Sequence, residues 1–480
     1  MSQTLQAQLI SEAWAEVTGD ASNSSSSPMP LALTGRGGQL ASRFAVEETA
    51  VACVGVALLA AARLHEQRGG RVHALTLDRE HVAAAVRSER FFRRGGQSAG
   101  VGFAALSRFW PAADGSVRTH ANYPWHRDAL LFALGVQERE DIDAVGAAIA
   151  VMSARDVEER VFAAGGIAAA VRTVDEWRAH GQGKALAAEP LIGHHKIGDA
   201  PPRRRPAGDL PASGVRVLDL TRVIAGPVCT RYLAAVGAEV LRIDPPHHPD
   251  MERGEVSDTL LGKRSAQLDL RSPAGVATLH ELLARADAVV CGYRPGALDQ
   301  FGLTEDALAS RHPGVVAVYL DAWGHHGPWQ HRRGFDSVVQ APTGIAMGES
   351  ADGTRPGALP CQLLDHGTGY LAAAALLDGL SRQSAHGGTT IRRLSLARTA
   401  LWLTQSRSAV SRSAVAENAR PAVPTSNSGA KIPARPWLVE LDSANGPITA
   451  VAPPGAIDGR RLQWRSSPTG YGNDPPAWSL

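Results

Sequence analysis

The run Gln362-Leu363-Leu364-Asp365-His366-Gly367-Thr368-Gly369 sets one carboxylate directly before a glycine-punctuated turn and a long apolar stretch. Tyr370 to Leu380 are mostly Ala and Leu, so a buried helix is expected there, with Asp365 on the loop that feeds its N-terminus. Amides at such an end lack intrahelical acceptors and face incoming anions. A site of this kind can hold a carboxylate nucleophile beside a thioester carbonyl and stabilise the oxyanion formed on attack, with glycines permitting close backbone approach. Asp is also among the commonest helix caps, and this segment taken alone fits a cap better than a nucleophile.

The elements that must position Asp365 lie mostly between residues 213 and 400. Val215 to Leu220 is a short β-rich run, Val228 to Val236 a helix candidate and Ala238 to Ile243 a second strand, the βαβ pattern of a parallel sheet covered by helices. Ser272-Pro273 starts a further helix through Ala286 as cap and first-turn proline, and strands follow at Ala288 to Val290 and Val315 to Leu320. The fold class read from this is α/β, a doubly wound parallel sheet. The turn after the first strand, Thr221-Arg222-Val223-Ile224-Ala225-Gly226-Pro227, is not GxGxxG, so a dinucleotide fingerprint is absent.

Composition narrows the class. The chain has 480 residues, 44% hydrophobic and 20% charged, enough for two or three domains with sizeable cores. A net charge of +2 gives no global field for a nucleic-acid partner, and Arg203-Arg204-Arg205 between prolines reads as part of a solvated linker. Cys53, Cys229, Cys291 and Cys361 are widely spaced without any CxxC or paired-ligand pattern, which points to buried reduced thiols, no metal site and a cytoplasmic setting. Met1-Ser2-Gln3-Thr4 leads into no signal-like segment, and the longest apolar run, Ala50 to Ala62, is shorter than the roughly 20 residues that span a bilayer, so no membrane association is expected.

A faint internal repeat surrounds the candidate nucleophile. Glu47, Leu58-Leu59 and Gly69-Gly70 align with Asp365, Leu376-Leu377 and Gly387-Gly388 at one constant offset of 318, and one gap then aligns Thr76-Leu77 with Ser395-Leu396. Glu47 lacks the Gly-Thr-Gly segment that follows Asp365, so it is expected to be structural or a relic.

Several motifs together resemble one family. Val215-Arg216-Val217-Leu218-Asp219-Leu220-Thr221-Arg222-Val223-Ile224-Ala225-Gly226-Pro227 is similar to the opening motif of the class III CoA-transferases, the group that includes formyl-CoA and carnitine CoA-transferases. Gly237 to Ile243, Gly262-Lys263-Arg264-Ser265 through Leu268-Asp269-Leu270, Tyr293-Arg294-Pro295-Gly296-Ala297-Leu298 and Gly334-Phe335-Asp336 follow in the family's order. The resemblance implies a Rossmann-like large domain with a smaller α+β domain, and an enzyme that moves CoA from an acyl-CoA to a carboxylic acid. It implies that Asp365 attacks the thioester and then carries CoA as an aspartyl thioester. The usual carboxylate pKa, about 4, would keep Asp365 ionised without a partner base. By the same resemblance coenzyme A lies across Ile224, Leu268, Arg271, Gly292, Tyr293, Arg294 and Arg333, the arginines meeting its phosphates.

The sequence departs from the family pattern in places. The stretch from Met251 to Gly262 is short, Pro245 replaces a basic residue of some members, and Gln300 replaces an arginine used for CoA. No small domain follows the Ser395 strand, where the tail from Ser406 to Lys431 is rich in Ser, Ala and Arg. Its counterpart is expected earlier: Phe109 to Val117 resembles its opening strand, Arg127 to Leu134 a helix, and Thr173 to Arg178 its late helix. The expected organisation is a partial large-domain-like copy at 1–100, a small-domain-like segment at 101–185, a Pro/Arg-rich linker at 186–212 and the CoA-transferase large domain at 213–480. Family members are interlocked homodimers, so either a homodimer or an intrachain pseudo-dimer is expected. Two other readings stay open: an α-methylacyl-CoA racemase-like isomerase, although Phe335 stands where that branch carries a His, and a non-catalytic CoA-binding paralogue.

Overall fold

Seven strands form the central sheet: β1 Gly193–Gly198, β2 Arg216–Leu220, β3 Glu239–Asp244, β4 Arg264–Gln267, β5 Ala288–Cys291, β6 Val316–Asp321 and β7 Thr389–Ser395. A computed structural model describes residues 2–20, 29–98, 102–137, 141–414 and 434–479; part of the Ser406 to Lys431 tail lies outside the described residues. The strand order is β4-β3-β2-β5-β6-β7-β1, parallel throughout except for β1, which runs antiparallel to β7 at the edge. Four of the expected strands and their positions are recovered within a residue or two. The apolar runs in them are near-continuous because both faces are covered. In β5, Ala288 and Val290 join the core with helices α2 (Ala225–Ala235) and α5 (Leu363–His386), while Val289 and Cys291 join Leu279, Leu282 and Leu283 of α3 (Pro273–Ala284) on the other face. All four cysteines are buried and free.

The stretch 186–212 is not a plain tether. Its residues 193–198 are β1, Arg205 pairs with the buried Asp287 at 2.5 Å, and Arg203 donates to Pro313 O. Two of the three arginines assigned to a solvated linker therefore hold the chain against the sheet.

A long helix, α1 (Val46–Gln67), is buried along most of its length and packs against α5. The Glu47 carboxylate in its first turn accepts the N–H groups of Gly38, Gln39 and Leu40 at 3.0, 2.6 and 3.2 Å, so it holds the preceding loop. The C-terminal stretch returns to this region: Ala456–Ile457 pairs with Leu75–Asp78, and Ile448–Val451 with Arg93–Arg94. Between these parts, the hairpin Phe109–Ala112 and Gly115–Thr119 with strand Ala168–Ala170 packs Trp110 and Val117 on Leu130, Leu131, Val145, Ile149, Val157 and Val161. The helix at Val174–Ala179 opens on a Thr173/Glu176 capping box. Among the described residues no helix is long and apolar enough to cross a membrane.

Candidate active site

Strand order reverses between β2 and β5, and in an open parallel sheet the crevice beyond the strand ends at such a point is where ligands bind. A cavity of about 530 Å³ lies there. The loops after β2 (Arg222, Val223), β3 (Pro245, His248) and β5 (Gly292, Tyr293, Arg294), the end of β6 (Leu320, Asp321) and Asp365 all line it. The segment that carries Tyr123, Trp125 and His126 supplies a further wall.

The first loop is held in a strained shape. Val223 has φ +66°, a left-handed conformation that costs a β-branched residue most, and its N–H donates to Asp250 Oδ2 at 3.2 Å. Asp250 also accepts from the Tyr123 hydroxyl and from Arg242 at 2.8 Å. Burial would raise this carboxyl, but Arg242 and Arg222 outweigh it and hold Asp250 down at about 2. Arg222 in turn sits over the rings of Tyr123 and Trp125, which stack at 4.8 Å. One buried anion thereby locks the aromatic wall to the loop after β2.

Asp365 lies inside the first turn of α5, not on a loop ahead of it. The glycines expected to make a turn are helical. A Cβ on Gly369 would stand 2.5 Å from Ala225 O and 2.9 Å from Val228 Cβ, so this glycine lets α2 approach α5 closely. The helix end is not open to a ligand either. Asp336, fully buried at the start of the short helix α4 (Asp336–Val339), accepts the amides of Asp365 (3.1 Å) and Leu364 and the Gln340 side chain, capping α5 from a separate segment. The neighbouring His366 places Nε2 3.1 Å from Glu89 Oε2.

The expectation of an ordinary pKa at Asp365 is also corrected. Burial, the Asp336 carboxyl and Glu89 push it well above the usual carboxylate range, and burial raises Asp336 to about 6 despite its hydrogen bonds. Two carboxyls this close titrate as one coupled pair. A third buried carboxyl, Asp321, is raised to about 7 by burial; it accepts the Gly324 N–H, and His325 Nδ1 lies 3.0 Å from it but out of line for a hydrogen bond.

Of the residues expected at the site, Asp365, Gly292, Tyr293, Arg294 and Arg333 share the cavity. Arg294 and Arg333 are exposed and have no carboxylate partner among the described residues, and their mutual repulsion lowers the Arg333 pKa after burial does. Ile224, Leu268 and Arg271 are not in the lining. Ile224 packs half-buried against the core at the start of α2, Leu268 packs on the face of the sheet that α3 covers, and Arg271 is exposed and bonded to Asp269 at 3.0 Å. Sequence reasoning missed the Tyr123 to His126 wall, the clamp at Asp250 and the cap at Asp336. The Tyr-Pro-Trp-His cluster directly before a predicted helix is the signal that could have found the first.

A family model described as CoA-transferase family III matches residues 212–466. The chain is 32% identical over 249 residues to an acyl-CoA transferase of Gibberella moniliformis, an alignment that covers 49% of this chain and 44% of that protein. It is 33% identical to a succinyl-CoA:glutarate CoA-transferase of Mus musculus, over 37% of this chain and 43% of the relative. It is 34% identical to a formyl-CoA:oxalate CoA-transferase of Bradyrhizobium diazoefficiens, over 37% and 44%. Each match thus spans less than half of the curated relative. A crystal structure of Rv3272 from Mycobacterium tuberculosis superposes with a TM-score of 0.39 at 29% identity, covering 42% of this chain and 58% of that one. On the extent of the family match, this chain belongs to CoA-transferase family III.

Proposed function

We propose that this protein transfers CoA from an acyl-CoA thioester to a carboxylic acid through an aspartyl-CoA thioester on Asp365. The observation that carries the reading is a buried carboxyl with raised pKa, open to a cavity lined by two exposed guanidinium groups that have no carboxylate partner among the described residues. Arg294 and Arg333 suit the phosphates of coenzyme A, and Gly292 and Tyr293 would flank its path. Ile224, Leu268 and Arg271 would serve only a part of CoA that extends beyond the cavity.

Once Asp365 has released its proton to solvent, the remaining steps balance with the donor, the acceptor and CoA alone. An Asp365 carboxylate oxygen bonds to the thioester carbonyl carbon, the C–S bond breaks, and CoA thiolate leaves a mixed anhydride. The thiolate attacks the aspartyl carbonyl and releases the donor acid. The acceptor carboxylate then attacks aspartyl-CoA, thiolate leaves again, and its return onto the new acyl carbon frees Asp365. A carboxylate stripped of water is a stronger nucleophile than a solvated one, which gives the buried position a purpose once the proton has left.

The test is intact-protein mass spectrometry after brief exposure to a panel of acyl-CoAs, with hydroxylamine trapping. Wild type should gain a CoA-sized or hydroxamate adduct that Asp365→Ala lacks. CoA binding without any adduct would sink the transferase reading, and solvent deuterium appearing at the α-carbon of an acyl-CoA would move it to the isomerase branch.

A further inference from the structure

Nucleophilic attack on a thioester turns its carbonyl oxygen into an oxyanion, and a site that speeds this step aims hydrogen-bond donors at that oxygen. The nearest backbone amides cannot serve. Those of Leu364 and Asp365 are taken by Asp336, and that of His366 by Gln362 O. With the amides around Asp365 occupied, a side chain on another wall is the candidate donor.

His126 meets the requirement. It lies in the cavity lining with Asp365, only 5% exposed, between the rings of Tyr123 (5.6 Å), Trp125 (5.8 Å) and Phe335 (5.9 Å). Phe335 directly precedes Asp336, whose carboxylate binds the Asp365 amide, so the imidazole and the nucleophile are joined through one short segment. No group among the described residues bonds either ring nitrogen, and Nδ1 is sealed from solvent. A buried N–H without an acceptor is the costlier orphan, which favours the proton on Nε2. Burial first, then Arg333 and Arg222, lowers the imidazole pKa to about 3. The ring is therefore neutral at physiological pH, and with so weak a basicity it suits hydrogen-bond donation better than proton abstraction.

We propose that His126 is a catalytic residue that donates a hydrogen bond to the acyl oxygen while Asp365 attacks the thioester carbon. The inference rests on the transferase reading of Asp365. The C=O π pair moves onto oxygen as the Asp365 C–O bond forms, and it returns as the C–S bond breaks. His126 keeps its proton throughout.

The test is rapid-quench mass spectrometry of adduct formation on Asp365 with acetyl-CoA, succinyl-CoA and formyl-CoA, in wild type, His126→Phe and His126→Gln. His126→Phe keeps a ring in the wall but no N–H, and it should slow adduct formation by about 10²–10³-fold while the Kd for free CoA changes little. His126→Gln restores a neutral donor and should recover at least tenfold of that loss. An adduct formed by His126→Phe at the wild-type rate overturns the proposal. So does a loss of CoA binding in step with the loss of rate, or a Gln variant no faster than Phe. No adduct in wild type with any of the three would instead overturn the transferase reading, and this proposal with it.

Discussion

Asp365 and Asp336 share one electrostatic problem. Each is removed from water, and each raises the cost of ionising the other. Only ionised Asp365 can attack, so the rate of adduct formation should rise with pH along a limb set by this pair. Asp336→Asn removes the like charge and keeps an amide oxygen to accept from α5. The limb should then move to lower pH by at least about one unit, equivalent to roughly 1.4 kcal/mol per unit. A pH profile of single-turnover adduct formation in both proteins checks this, and a limb that stays in place would show that Asp336 does not set the Asp365 charge. Asp321 poses the same problem separately. Its carboxyl is raised to about 7 against an ordinary value of 3.8, so the folded protein holds a proton there that the unfolded chain has released. Stability drawn from this group is greatest near pH 4 and is lost as pH rises through 7. Asp321→Asn should therefore be more stable than wild type by on the order of 2–4 kcal/mol at pH 8 and nearly equal to it at pH 4. Urea midpoints at the two values measure the difference.

At the scale of elements, the crossing of α2 and α5 holds the nucleophile in place. Gly369 faces Ala225 O and Val228, and α5 carries the Asp336 cap at one end and the buried Asp378 further along. A methyl group at Gly369 has to push the two helices apart, since the Ala225 backbone oxygen cannot rotate away. Gly369→Ala should cost about 1–3 kcal/mol in stability despite the better helix propensity of Ala, and it should slow turnover by shifting Asp365. A Gly369→Ala protein with a wild-type urea midpoint would show that the two helices separate freely. The long buried face of α1 against α5 supports the same contact from the other side.

Across the whole molecule, parts of the chain far apart in sequence are tied together. Glu89 reaches His366, Tyr123 reaches Asp250, and His81 stacks on Trp437 at 4.4 Å while its Nε2 lies 2.9 Å from Ala452 O. Burial lowers the pKa of His81, His194 and His312 to about 4, so acid favours the unfolded chain as pH falls below the ordinary histidine value of 6.5. The raised carboxyls at Asp321 and Asp336 act in the opposite direction over much the same range. The buried histidines lower stability in acid, and the carboxyls near the cavity lower it at neutral pH, where the chemistry needs them.

The sequence by itself determined the parallel strands, the order of the family motifs and the singling out of Asp365, because strand runs, caps and glycine signals act over a few neighbouring residues. The family resemblance grouped Gly292, Tyr293, Arg294 and Arg333, which share the cavity, with Ile224, Leu268 and Arg271, which do not line it. Tertiary structure alone decided that Asp365 is helical, that Asp336 occupies the amides beside it, that both carboxyls are raised and that His126 faces the same space. Glycine reads as a turn in sequence, and only the neighbouring helix shows that Gly369 is there for close packing. Desolvation and capping depend on what folds over a group, and here those partners come from segments far apart along the chain.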